Sequence, residues 1–276
     1  MLSRSSRAVA SALAAFMTLT TAPAAHAGSI SASSQGTGAT LGYRGARNQA
    51  SELTLTISRA GIVALRESVT SSMCGHLCWP APVGPALRVV NLEGARPDVV
   101  LSLYSGGAHC CFIDQVFSPN IAGKFTTSEI VLGDPTATIE RLAPHGPMVF
   151  VTADDAFAYA FTDYAASGLP VKILAYRDHH FIDVTNEYPT IVARDAKRWW
   201  HAFGATAASH YADSVGLAAA WAADEYRLGR AALVSRVLDA QARAGHLRSA
   251  LSPITTDNWR FITQLDRFLA RRGYRR

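Results

Sequence analysis

Leu53-Thr-Leu-Thr-Ile-Ser-Arg-Ala-Gly-Ile-Val-Ala-Leu65 places an apolar residue at every second position, then breaks at Arg59-Ala60-Gly61 before a second apolar run. Successive side chains of a strand point to opposite faces, so a period of two marks a strand with one face on a core. The glycine marks the tight turn of a hairpin. Outward from this hairpin the pattern recurs. Residues 87–92 and 98–104 read as strands, and residues 112–117 and 125–132 flank the loop Ser118-Pro-Asn-Ile-Ala-Gly123. Residues 148–152 form a further strand, and residues 171–176 and 181–184 enclose the tip Arg177-Asp178-His179-His180. All these connections are short, which favours antiparallel pairing over βαβ crossovers.

After Tyr188-Pro189 the period changes. Residues 191–203, 212–228, 230–244 and 256–271 are rich in alanine, leucine and arginine, with apolar residues three and four apart. Gly204, Gly229, Gly245 and Pro253 punctuate them as stops. Phe261, Leu265, Phe268 and Leu269 share one helical face, and Trp199-Trp200 with Phe203 is expected to dock the first helix on the sheet. The expected class is α+β: an antiparallel β domain over residues 47–189, followed by a small helical bundle over residues 190–276 with a basic end.

The start of the chain reads as an export signal. Arg4 and Arg7 precede an almost uncharged run, and Ala25-His26-Ala27 supplies a small-x-small cleavage pattern, so residues 1–27 are expected to be removed after Ala27. No later run approaches the ~18 apolar residues of a spanning helix. Residues 28–46, mainly Gly, Ser, Ala and Thr, read as a flexible leader. The formal net charge is +5, and between Arg236 and Arg276 nine arginines face only Asp239, Asp257 and Asp266. Such an end suits an anionic surface. Export argues against nucleic acid as the partner, and an envelope or extracellular ligand is expected instead.

Cys74, Cys78, Cys110 and Cys111 are disulfide candidates in an exported protein. Neighbours in a strand face opposite sides, so the expected arrangement is two bridges from the Cys74–Cys78 loop to Cys110-Cys111, with the crossing open. A bond between Cys110 and Cys111 would need an eight-membered ring. The alternative is a zinc or copper(I) site in which His76 and His109 join the thiols.

Asn91-Leu-Glu-Gly-Ala-Arg-Pro-Asp98 and Tyr104-Ser-Gly-Gly-Ala-His-Cys-Cys111, with Thr152-Ala-Asp-Asp-Ala-Phe-Ala-Tyr-Ala-Phe-Thr-Asp-Tyr164 and Phe181-Ile-Asp-Val-Thr185, resemble exported bacterial proteins carrying an FG-GAP or VCBS-like unit. The likeness covers about residues 87–189, and Gly-Gly-Ala-His-Cys-Cys is its specific core. The resemblance implies a calcium-type acidic loop, built on alternating carboxylates. Here those positions hold Asn91, Glu93 and Ala95, so even with Asp98 nearby the loop is expected to be metal-free.

Candidate catalytic groups are sparse. Ser105 lacks the Gly-x-Ser-x-Gly elbow, and Gly106-Gly107 reads as a bulge or close backbone approach. Asp154-Asp155 could serve a hydrolase, although adjacent carboxylates rarely straddle one glycosidic bond, and turn capping is their commoner role. Tyr159, Phe161, Tyr164 and Tyr176 read as a sheet face or a sugar-stacking platform, and His179-His180 as an exposed tip. The sequence is therefore expected to encode a non-catalytic exported binding protein with no cofactor. Ligand contact is expected at Asp154, Asp155, Tyr159 and Tyr164, and the hydrolase and metal readings are the alternatives.

Overall fold

The computed structural model describes residues 27–94, 96–120, 122–208, 213–247, 249 and 258–275. Residues 1–26 of the expected export signal, Ala95 of the acidic loop, Pro253, and the tail residues Arg248, Asp257 and Arg276 lie outside the described residues. Among the described residues, three antiparallel sheets and four α-helices make an α+β protein, with the α-helices in the C-terminal part.

The first sheet runs β1 (Ala27–Ser34), β2 (Thr37–Arg44), β3 (Ser51–Arg59), β4 (Ile62–Ser68). Its first hairpin corrects the leader assigned to residues 28–46. Ser34 pairs with Thr37, and the two residues between them, Gln35 and Gly36, both have positive φ (47° and 75°). That is the geometry of a two-residue turn matched to the twist of a hairpin. Small residues suffice because only alternate positions of β2 reach a core, where Ala39 and Leu41 are buried. The same turn recurs at Ala60-Gly61 and at Asp178-His179.

The second sheet is ordered β5 (Trp79–Pro80), β7 (Asp98–Tyr104), β8 (Phe112–Pro119), β9 (Phe125–Gly133), and β6 (Leu87–Val90) also pairs with β7. The third is ordered β10 (Thr138–Arg141), β11 (Met148–Ala153), β12 (Val171–Arg177), β13 (His180–Asp183). The short strands β5 and β10 carry too few alternations to stand out in the sequence.

Strand periodicity explains the stacking. On β7, Val99, Leu101 and Leu103 share a core with Leu41, Leu55 and Ile57 of the first sheet. The intervening Val100 joins Val116, Phe150 and Leu174 on the side of the third sheet. On β11 the alternation continues: Phe150 faces the second sheet, while Val149 joins Ile173 and Val192 of the first helix. A strand buried on both faces loses its polar alternation, which is why β7 and β8 are almost continuously apolar or buried.

The helices are α1 (Pro189–Ala207), α2 (Val215–Arg227), α3 (Ala231–Arg243) and α4 (Asn258–Arg271). Pro189 starts α1, where its missing N–H costs nothing. Gly204 lies inside α1 and does not end it. α2 is buried almost all round, and Phe261, Leu265 and Leu269 of α4 close on it. The tryptophans dock differently from the sequence expectation. Trp200 stacks on Phe203 at 5.1 Å and meets Trp221 of α2 in a tilted contact at 4.8 Å, so it joins helix to helix. The sheet contact of α1 comes from Val192 and Ile191 instead. No described helix is long and apolar enough to cross a membrane.

Candidate functional site

The β7–β8 loop is shaped by its glycines. A Cβ on Gly107 would lie 2.3 Å from the Cys110 carbonyl oxygen, and one on Gly106 (φ 86°) would press on the Trp79 ring at 3.2 Å. The loop therefore closes on itself. The Ser105 amide donates to the Cys111 carbonyl at 3.0 Å, and the Cys111 amide donates to Ser105 Oγ at 2.6 Å. Ser105 is thus a loop clasp.

The disulfides correct the expected crossing. Cys74 pairs with Cys78, and Cys110 pairs with Cys111. The alternation argument fails because the adjacent cysteines precede β8 and do not lie within it. Each bridge is local, spanning four residues and one residue of sequence respectively. The first closes so short a loop that the chain-entropy model assigns it only about 2 kcal/mol. The bridges therefore shape surface loops and do not tie distant segments together.

With every cysteine in a disulfide, the sulfurs are not thiolate ligands. His76 places Nδ1 3.2 Å from the Val69 carbonyl. Among the described residues, no group of three or more His, Cys, Asp or Glu side chains is arranged to hold a metal ion. Asp98, at the start of β7, braces the acidic loop: its oxygens accept from the Leu92 amide at 2.9 Å, the Glu93 amide at 3.3 Å and Ser118 Oγ at 2.6 Å. Burial pushes its pKa up. Glu93 accepts from the Asp178 amide at 2.8 Å, so the His179-His180 hairpin tip is seated on this loop. Ser128 donates to the His179 carbonyl, and His179 is only partly exposed.

The four candidate aromatics divide. Phe161 enters the helical core against Phe261 and Phe268. Tyr176 is buried between the sheets, with its hydroxyl beside Ser118 and Ser128. Tyr159 and Tyr164 stay together at the surface, 5.6 Å apart, and His109 joins them at 6.2 and 4.4 Å. Tyr159 is 56% exposed. The Tyr164 hydroxyl donates to the carboxylate of Asp134.

The two adjacent carboxylates have different surroundings. Asp154 is buried; it accepts from the Tyr274 hydroxyl at 2.8 Å and the Ala156 amide at 3.3 Å, with Lys172 Nζ 3.8 Å away. Burial, and then the Asp154 charge, hold the Tyr274 phenol well above its usual pKa. Asp155 accepts from the Asp134 amide at 3.1 Å and occupies space that only a glycine at 133 leaves free, where a Cβ would fall 2.0 Å from its Cγ. Burial first, and then the neighbouring charges of Asp134 and Asp154, raise its pKa.

These pieces meet at one cleft of about 390 Å³, whose walls include Cys110, Cys111, Thr152, Asp155, Lys172 and Arg272. Ile130 and Leu132 of β9 add apolar wall, and Met73 brings in the Cys74–Cys78 loop. The hydroxyl of Thr152 is buried and has no hydrogen-bond partner among the described residues. The structure thus gathers Asp154, Asp155, Cys110 and Cys111 at one place, with His109, Tyr159 and Tyr164 beside it. His76 stands on a separate loop. Thr152, Lys172, Asp134 and Arg272 were missed because single polar residues on strands and helix ends carry no local signal.

No family model matches the chain, and no solved structure matches it. It is 31% identical over 113 residues to a probable thylakoid lumen protein of Synechocystis sp., which covers 39% of this chain and 33% of that protein. It is 23% identical over 132 residues to an uncharacterised protein of Sinorhizobium fredii, covering 47% of this chain and 20% of that one. The chain is thus similar to proteins of which it spans a third or less.

Proposed function

We propose that this chain is an exported, disulfide-bonded binding protein whose ligand seat is the cleft beside Cys110–Cys111. Export is supported by the cationic, apolar and small-x-small pattern of residues 1–27, by the paired cysteines, and by similarity to a protein described as lumenal. The observation that carries the seat is convergence. A cystine, a buried hydroxyl with no partner among the described residues, the two carboxylates Asp154 and Asp155, and two cations from separate elements line a single concavity of ligand size.

A glycoside hydrolase of the common two-carboxylate kind would need both carboxylates free to act at one glycosidic bond. Asp154 is engaged by Tyr274, Ala156 and Lys172, which leaves only Asp155 available and favours binding.

The test measures retention of the full chain on envelope fractions. Tyr159→Ala and Asp155→Asn are compared with Ile62→Ser, a change at an exposed position of β4 in the first sheet. Retention is expected to fall about tenfold for Asp155→Asn in the cleft and for Tyr159→Ala in the adjoining ring group, the size expected for losing one charged hydrogen bond or one stacking ring. Equal retention for all three variants would remove the cleft from the function.

A further inference from the structure

We propose that the cleft takes a neutral hexose unit presenting two adjacent free hydroxyls, as part of an oligo- or polysaccharide. This rests on the reading of the cleft as the ligand seat, and it follows from three features, of which the first two exclude other ligand classes and the third matches a sugar.

The first is charge balance. Asp154 and Asp155 share the cleft with Lys172 and Arg272. A strongly anionic polymer meets the carboxylates, and a polycation meets the two basic groups, so a neutral ligand fits best. The second is the polar content of the walls. The Thr152 hydroxyl is more than nine-tenths buried and unpartnered, and a buried hydroxyl without a partner is costly. A hydrocarbon ligand would leave it so, whereas a ligand hydroxyl can pair with it after a χ1 rotation. Asp155 can accept from two neighbouring hydroxyls, and Lys172 can donate to one.

The third feature is the apolar component. The cystine, Ile130 and Leu132 give the cleft apolar wall, and the Tyr159, Tyr164 and His109 rings adjoin it through Tyr164, whose hydroxyl donates to Asp134, which in turn donates its amide to Asp155. A pyranose has one face of C–H groups and a rim of hydroxyls, which matches this division. Aromatic side chains suit such mixed ligands because they supply apolar area at little entropic cost.

Four arms test the proposal with the full mature chain. Envelope fractions are treated with periodate, which cleaves adjacent diols, or with a broad protease. Binding of soluble glucose, mannose and galactose oligomers is measured by calorimetry, with N-acetylglucosamine oligomers, whose interior units lack an adjacent free diol, as the contrast. Retention is expected to vanish after periodate and survive protease, and at least one neutral hexose oligomer is expected to bind while the N-acetylated oligomers do not. Binding of a free monosaccharide as tightly as its oligomer would identify a soluble sugar as the source; tighter binding of the oligomer would identify a polymer.

The Thr152→Val variant separates folding from binding. It is expected to keep or raise the melting temperature, because an orphan hydroxyl is removed, while weakening hexose binding about tenfold. Retention that survives periodate and is lost to protease overturns the saccharide assignment; if Tyr159→Ala and Asp155→Asn still weaken that retention, the cleft keeps its role. Unchanged hexose binding in Thr152→Val also overturns the assignment. Insensitivity of retention to the cleft variants overturns the underlying seat.

Discussion

At the scale of single residues, local geometry decides more than residue type. Gly133 has φ 80° and a side chain would collide with the Asp155 carboxyl, so Gly133→Ala is expected to cost about 2–3 kcal/mol and to displace Asp155. Urea titration checks the first part, and loss of ligand retention checks the second. A wild-type midpoint would show that the neighbouring strand yields easily. The cysteines teach a related lesson. A non-reducing peptide map is expected to give one linked peptide holding Cys74 and Cys78 and another holding Cys110 and Cys111; any fragment joining the two loops contradicts this pairing. The sequence shows four cysteines. It does not show their partners, because the chain has left strand geometry by Cys110 and the alternation that separated the neighbours no longer applies there.

Elements are where the sequence is both most and least legible. The Ala60-Gly61 hairpin follows from two short-range rules, period two and a glycine at positive φ. The β1–β2 hairpin obeys the same rules with serine, alanine and glycine, and so reads as a loose leader. Leu41→Ala discriminates between these descriptions. Leu41 is fully buried, and truncation is expected to cost about 2–5 kcal/mol in a denaturant titration; a flexible segment would show no change.

Between α1 and α2 lies a buried carboxyl, Asp224, whose pKa is pushed up to about 10 by burial and then by Asp195 beside it. The folded protein therefore binds a proton there that the unfolded chain releases near pH 4. The sign follows: this group's contribution is present in full below about pH 4, declines as pH rises, and is exhausted above about pH 10. Asp224→Asn is expected to flatten the fall in stability between pH 6 and 9 and to raise stability at pH 8. An unchanged pH slope in urea titrations would show that Asp224 already titrates normally.

On the scale of the whole molecule, the layers are joined by a few specific ties. Tyr274, just beyond α4, donates to Asp154 at the end of β11 while Arg227 of α2 lies 4.4 Å over its ring. Tyr274→Phe leaves a buried carboxylate short of a donor and is expected to cost about 1–3 kcal/mol. Its effect should appear in the melting of both sheet and helix signals, because the tie crosses between them. Separate transitions, with only the helical signal shifted, would contradict a joint role.

The sequence alone determined the antiparallel strands, the helical C-terminal part and most hairpin turns, because periodicity and turn chemistry act over a few residues. The tertiary structure alone decided which cysteines pair, that the small-residue segment is a hairpin, and that Thr152, Asp155, Lys172, Arg272 and the cystine share one cleft. These outcomes depend on which faces of three stacked sheets meet, and burial of apolar surface is non-directional until packing selects those partners.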